Sequence, residues 1–148
     1  MTNLVNLNEV IDKIDYNYYT RLTSDIVKID PVNIDGELVS QSLNYSLYSG
    51  LLAFCKKEVD RAKLLLDKYI GEQKVNILKD KDSYNVRVTN EFIDGLIKSQ
   101  ENFTIYSNKI IDLEYKFNLI RNLVEALKMR ADMLIQISAN RRSELKTV

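Results

Sequence analysis

The chain has 148 residues, 45% of them hydrophobic and 28% charged, with 21 basic side chains against 21 acidic ones. That balance is too apolar for a disordered chain and fits one domain of ordinary size. There is no histidine and one cysteine, which excludes an intramolecular disulfide, a conventional single-chain zinc site and any catalytic set built on histidine.

Four Gly and one Pro leave little turn chemistry and favour long uninterrupted elements. No apolar run approaches the ~18 residues of a membrane helix. The opening MTNLVNLNEVIDKID lacks a basic region followed by an apolar stretch, so a cytoplasmic protein is expected. Charge is graded along the chain. Residues 1–42 hold three bases against seven acids, residues 43–100 ten against eight, and residues 101–148 eight against six. This acidic head and mildly basic tail fall short of the footprint of a dedicated duplex-DNA binder.

Residues 1–35 read as an acidic N-terminal segment. Leu4, Leu7, Val10, Ile11 and Ile14 have helical spacing and predict one short amphipathic helix, followed by the cluster Tyr16, Tyr18 and Tyr19. Pro31 and the pair Asp35-Gly36 break the pattern, and Asp35 is placed to cap the next helix. Residues 36–148 then form the main helical domain.

From about Glu37 to Lys79 only Gly71 interrupts a helical pattern. Tyr45, Tyr48, Leu52, Cys55, Val59, Ala62, Leu66 and Tyr69 alternate spacings of three and four. A second apolar line through Leu47, Leu51, Phe54 and Leu65 widens the stripe and predicts packing against more than one neighbour. Residues 80–88 are a polar break. Lys74–Lys79 and Tyr84–Thr89 also alternate, so a small β-hairpin across the KDKD turn is the alternative to helix followed by loop. Thr89 or Asn90 caps a short helix over Glu91–Lys98, and Ser99 is expected to cap the last helix.

The last helix, about Gln100 to Leu145, has the most regular seam. Phe103, Tyr106, Ile110, Leu113, Phe117, Ile120, Val124, Leu127, Ala131, Leu134 and Ser138 keep the three-four spacing without a slip. The 37–79 helix can fold back antiparallel along it. Ile111, Leu119, Leu123, Met133, Ile135 and Ile137 leave further apolar surface. The expected fold is therefore all-α: a long antiparallel, coiled-coil-like helical hairpin with a short N-terminal helix and a short connecting helix. Homo-oligomerisation is expected along the seam Phe103, Ile110, Leu113, Phe117, Ile120, Val124, Leu127 and Leu134.

No enzyme motif stands out, and no catalytic residue, metal or cofactor is assigned. The acids alternate with Lys and Arg as salt-bridging surface, and Cys55 falls on a seam, as a small core residue would. The cations Arg61, Lys63 and Lys68 lie near Tyr69, Lys128 and Arg130 lie on the last helix, and Arg141, Arg142 and Lys146 end it. The terminal ones suit the helix dipole. Together they also suit a phosphate-tracking stripe beside an aromatic platform, the pattern of single-strand binders.

Two stretches carry a resemblance. Ala62-Lys-Leu-Leu-Leu-Asp-Lys-Tyr-Ile-Gly71 resembles the L-K-A-R-L-D-Y-Y-S-G motif of the UvsY family of phage recombination mediators, matching at Lys63, Leu66, Asp67, Tyr69 and Gly71. The motif's arginine falls on Leu65, so only Lys63 of its two DNA-associated cations carries over, with Arg61 one turn away. Ala126-Leu-Lys-Met-Arg-Ala-Asp-Met-Leu-Ile-Gln-Ile137 is similar to the A-I-K-S-R-G-F-A-I-K-H-I of the same family, at Ala126, Lys128, Arg130 and Ile137. The order of elements over residues 43–140 agrees as well. The resemblance implies a homo-oligomer, a ring of six or seven copies, that binds single-stranded DNA, loosens single-strand-binding protein and loads a RecA-like recombinase. Arg61, Lys63, Lys68, Tyr69, Lys128, Arg130, Arg141 and Arg142 would meet the DNA. The competing readings are a phage structural or assembly factor working through coiled-coil contacts, and an inhibitor of a host protein that docks by its acidic head.

Overall fold

A computed structural model describes residues 6–144. The described residues contain helices and no strand. Helix α1 spans Leu7–Asp12, α2 Tyr16–Val27, α3 Ile34–Lys79, α4 Asn90–Lys98 and α5 Glu101–Glu144, with a single 3₁₀ turn at Lys81–Ser83. No helix among the described residues is long and apolar enough to cross a membrane. The 74–79 segment stays in α3, so the β-hairpin alternative is not realised.

The chain divides into two compact units, and each long helix contributes to both. The boundary cuts α3 after Cys55 and α5 before Lys116.

One unit joins residues up to Cys55 with those from Lys116 on. Its head holds two helices where the sequence predicts one. Asn6 caps α1 by accepting from the Asn8 N–H, and Asp15 caps α2 by accepting from the Tyr18 N–H at 2.7 Å. Leu4 lies outside the described residues; Ile11 and Ile14 of the predicted short helix and its exit are buried. Helix α2 sets Tyr18, Tyr19, Leu22, Thr23, Ile26 and Val27 half-buried along one side. Asp30 folds its carboxylate back onto the Val32 N–H at 2.8 Å, forming the turn at Pro31. The cap of α3 is Asn33, whose Oδ1 accepts from the Gly36 N–H at 3.2 Å; Asp35 already lies in the first turn and complements the helix dipole there.

Within this unit α3 and α5 run antiparallel. Glu37 meets Arg130, Gln41 meets Leu127 and Pro31 meets Arg141, so contacts advance along α3 as they retreat along α5. Leu51, Cys55, Leu119, Ile120, Leu123, Val124, Leu127 and Leu134 are buried. The three-four spacing read in the sequence accounts for Cys55, Ile120, Val124, Leu127 and Leu134, whereas Leu51, Leu119 and Leu123 come from the flanking apolar positions; removing them all from water is the main stabilising term.

The other unit is Lys56–Tyr115. Here α3 and α5 are again antiparallel, with Lys63 against Glu114 and Tyr69 against Tyr106 and Gln100. Tyr69, Ile77, Ile93 and Ile97 form the core, flanked by Leu66, Ile70, Tyr84, Leu96, Phe103 and Tyr106. Helix α4 supplies Ile93 and Ile97, one turn apart and on one face, while Lys74 of α3 reaches its Asp94 at 3.1 Å. Thr89 caps α4 as expected, accepting from the Phe92 N–H. Ser99 does not cap α5. It ends α4, its hydroxyl donating to the Leu96 carbonyl at 2.8 Å, because only Ser99 and Gln100 separate the two helices and the first of them serves the outgoing one. Gly71 does not stop α3: its backbone is helical, and tertiary packing on either side outweighs the ~1 kcal/mol propensity cost of a glycine.

Candidate nucleic-acid interface

The expected DNA-binding set falls into three groups. Arg61, Lys63 and Lys68 stand on exposed turns of α3 in the Lys56–Tyr115 unit. Each has a nearby acid: Arg61 bonds Glu58 at 3.2 Å, Lys63 bonds Glu114 across to α5 at 2.6 Å, and Lys68 approaches Glu72 at 3.8 Å. In the other unit Lys128 bonds Glu125 at 2.7 Å, and Arg142 is exposed near the end of α5. The hydrogen bond and charge of Glu114 hold the Lys63 ammonium above its ordinary pKa, and Glu125 does the same for Lys128. Exposed pairs of this kind contribute little to stability and exchange readily for another anion. They do, however, neutralise the stripe locally, so its field is weaker than the count of cations suggests.

Tyr69 is not a stacking platform. Only 8% of its surface is exposed; its ring lies 5.3 Å from that of Tyr106 and its hydroxyl donates to Gln100 Oε1. Gln100 in turn donates to Gln73 at 3.4 Å. Tyr69 occupies an inward heptad position, and burying its ring is worth more than offering it to a base. Within the resembling motif, Leu66 and Tyr69 therefore form core, while Lys63, Asp67, Lys68 and Gly71 face solvent.

Arg130 is the larger correction. It is 2% exposed and forms the centre of a buried polar cluster. One guanidinium nitrogen donates to Gln41 Oε1 at 2.7 Å and to the Glu37 carbonyl at 3.5 Å; the other meets the Glu37 carboxylate and the Lys28 carbonyl at 3.4 Å. Gln41 donates onward to the Leu127 carbonyl at 2.6 Å, and Glu37 also accepts from the Asp30 N–H at 3.0 Å. Nε has no acceptor among the described residues. The cluster ties the 28–33 loop and the start of α3 to α5, so Arg130 holds the fold and no phosphate reaches it. Arg141 follows the same pattern at the rim, donating to the Pro31 carbonyl. Lys146 lies outside the described residues.

A signal for the buried arginine was present in the sequence. Ile120, Leu123, Leu127, Arg130 and Leu134 are themselves spaced three and four, a second inward line beside the one through Val124 and Ala131. Gln41 and Glu37 carried no such mark.

The expected oligomerisation seam is also occupied from within. Ile120, Val124, Leu127 and Leu134 are buried in the single chain, and Phe103 packs on the core of its own unit. Ile110, Leu113 and Phe117 are half-buried. Apolar surface remains elsewhere, on Ile111, Met133 and Ile135 of α5 and on Leu47 and Leu65 of the second apolar line of α3.

Cys55 is 1% exposed, and burial pushes its thiol up to about 11 although Lys116 pulls the other way. Thiolate is therefore scarce at neutral pH. Iodoacetamide at pH 8 should leave the folded chain unmodified and react within minutes once urea unfolds it, followed by mass spectrometry. Fast labelling of the folded protein would show that this part of the core opens readily.

The chain matches no protein-family model, no curated protein and no solved structure.

Proposed function

We propose that this chain is a non-enzymatic, self-associating accessory of single-stranded DNA, of the recombination-mediator type. The observation that carries the proposal is the way the resembling segment divides. Its apolar positions, Leu66 and Tyr69, serve the core, and its polar positions, Lys63, Asp67 and Lys68, are left on the outer face of α3 beside Arg61. The order of elements adds support: a long helix bearing that segment, a polar break, a short helix and a long final helix. In this reading Arg61, Lys63 and Lys68 exchange their carboxylate partners for phosphates, and repetition over several copies supplies affinity that one modest patch lacks. Lys128 and Arg142 are secondary contacts. The partners would be single-strand-binding protein and a RecA-like recombinase.

The test is a titration of fluorescent oligo-dT at two salt concentrations, with duplex of equal length as competitor. Salt-sensitive binding that prefers the single strand is expected. Arg61→Ala with Lys63→Ala removes two phosphate contacts and should flatten the log–log salt dependence by about 1.4, at ~0.7 per phosphate for a single strand. Absence of binding at low salt and micromolar protein would overturn the proposal.

A second reading is favoured by a different observation. Every candidate cation on α3 has an acid within 4 Å, while large apolar side chains stand exposed on both long helices. A chain that works only through protein contacts, as an assembly factor does, would look the same. The oligo-dT titration separates the two.

A further inference from the structure

Residues 38–55 of α3 contain no charged side chain over about five helical turns, in a chain that is 28% charged. Half of that helix surface faces water. Val39, Leu43 and Leu47 are 74%, 70% and 60% exposed, and each follows the last by four residues. Alongside runs a row of small residues with the same spacing, Ser42, Ser46 and Gly50, closed by Ala53, all exposed. A solvated helix face ordinarily carries Lys and Glu; this one carries a ridge and a groove.

The face continues on both sides. Toward α5 it borders a groove of about 520 Å³ lined by Leu38, Tyr45 and Ala131 together with Lys128 and Asp132 of α5. Toward the N-terminal helices it borders one of about 530 Å³ lined by Leu7, Val10, Leu47 and Gly50. All of these residues belong to one compact unit. The exposed parts of Leu7, Leu38, Val39, Leu43, Tyr45 and Leu47, with the small residues between them, are of the order of the roughly 800 Å² per partner that a standard interface buries.

We infer that a second copy of this chain covers the face, antiparallel and related by a two-fold axis near Ser46. Ridge and groove lie on the same helix, so the surface is complementary to itself, which an isologous contact requires. With the axis between Ser46 and Leu47, large residues meet small ones: Leu43 lies opposite the partner's Gly50, and Leu47 opposite the partner's Ser46. Parallel packing would set leucine against leucine and leave the small row facing itself. Residues 38–55 bring no charge to the contact, so this stretch of α3 desolvates no ion of its own. The inference rests on the self-association proposed above and assigns it a surface other than the α5 seam, which the chain's own core occupies.

Two substitutions test it on the full chain, read by light scattering after gel filtration. A Cβ added at Gly50 meets nothing within 4 Å in the single chain, so Gly50→Leu should leave helicity and melting intact while filling the groove that the partner's Leu43 enters. It should halve the mass of the assembly, or weaken dimerisation at least tenfold. Ser46→Cys should form a covalent dimer under mild oxidation, because the axis brings the two thiols together; Cys55 is too buried to compete. An assembly that survives Gly50→Leu, with no cross-link at Ser46→Cys, overturns the inference and leaves self-association standing through another face. A wild-type chain that is monomeric at hundreds of micromolar overturns both.

Discussion

Arg130→Met should destabilise the unit that holds Arg130 by about 3 kcal/mol, near the lower end of the range for breaking a buried ion pair. The substitution fills most of the volume, so little of the loss is cavity. The loss comes from what remains. The Glu37 carboxylate keeps the Asp30 N–H but loses its cation, and Gln41 Oε1 and the Lys28 carbonyl lose a donor. Glu37 keeps 18% of its side-chain surface exposed, which lets water soften the penalty. Urea denaturation followed by circular dichroism measures it, fitted for two transitions because the two units need not unfold together. Arg130→Met with Glu37→Gln should cost clearly less than the sum of the single changes, since the second removes the stranded charge. By contrast, Lys63→Ala should leave the melt unchanged, because that ammonium is on the surface. A loss below ~1 kcal/mol for Arg130→Met would show that the guanidinium is hydrated, and would return Arg130 to the set of residues open to DNA.

Ile120→Asp should abolish the folded state of the same unit. Ile120 is 1% exposed and lies between Leu119, Leu123 and Val124 on the inner face of α5. A carboxylate there gains no hydrogen-bond partner and no cation, and the buried methyl groups are lost as well. The combined penalty is above ~4 kcal/mol, a large fraction of a typical 5–15 kcal/mol stability. The expected observation is a loss of ellipticity at 222 nm and precipitation during purification. A seam shared between copies would respond differently, giving a folded and soluble chain of reduced mass. Obtaining that species would show that Ile120 is covered by another copy, against the burial described here. Gly50→Leu and Ile120→Asp thus separate an outer face from an inner one on the same molecule.

The three-four spacing was enough to place the two long helices within a few residues of their ends. Cys55, Val59, Ala62, Leu127 and Leu134 are core, as their heptad positions require. Thr89 was legible as a cap because a hydroxyl directly before an amphipathic run has one local use. Helix α2 was missed because Tyr and Thr, which line its inner side, read as weakly apolar. Asn33 rather than Asp35 caps α3: either side chain can cap, and only the position of Pro31 and the loop before it selects between them.

The order of side chains establishes that this chain is helical and which faces of its helices are apolar, because periodicity is a local property. It did not determine which apolar stripe turns inward. Ile120 and Ile111 carry the same side chain, yet the first is buried and the second exposed. Nor did it show that Arg130 would be spent on Glu37, 93 residues away in the chain, or that Lys63 would face Glu114. Those outcomes depend on how one helix is placed against another. A charge is available to a ligand only if no neighbouring element has claimed it, and tertiary structure alone decides which neighbours it has.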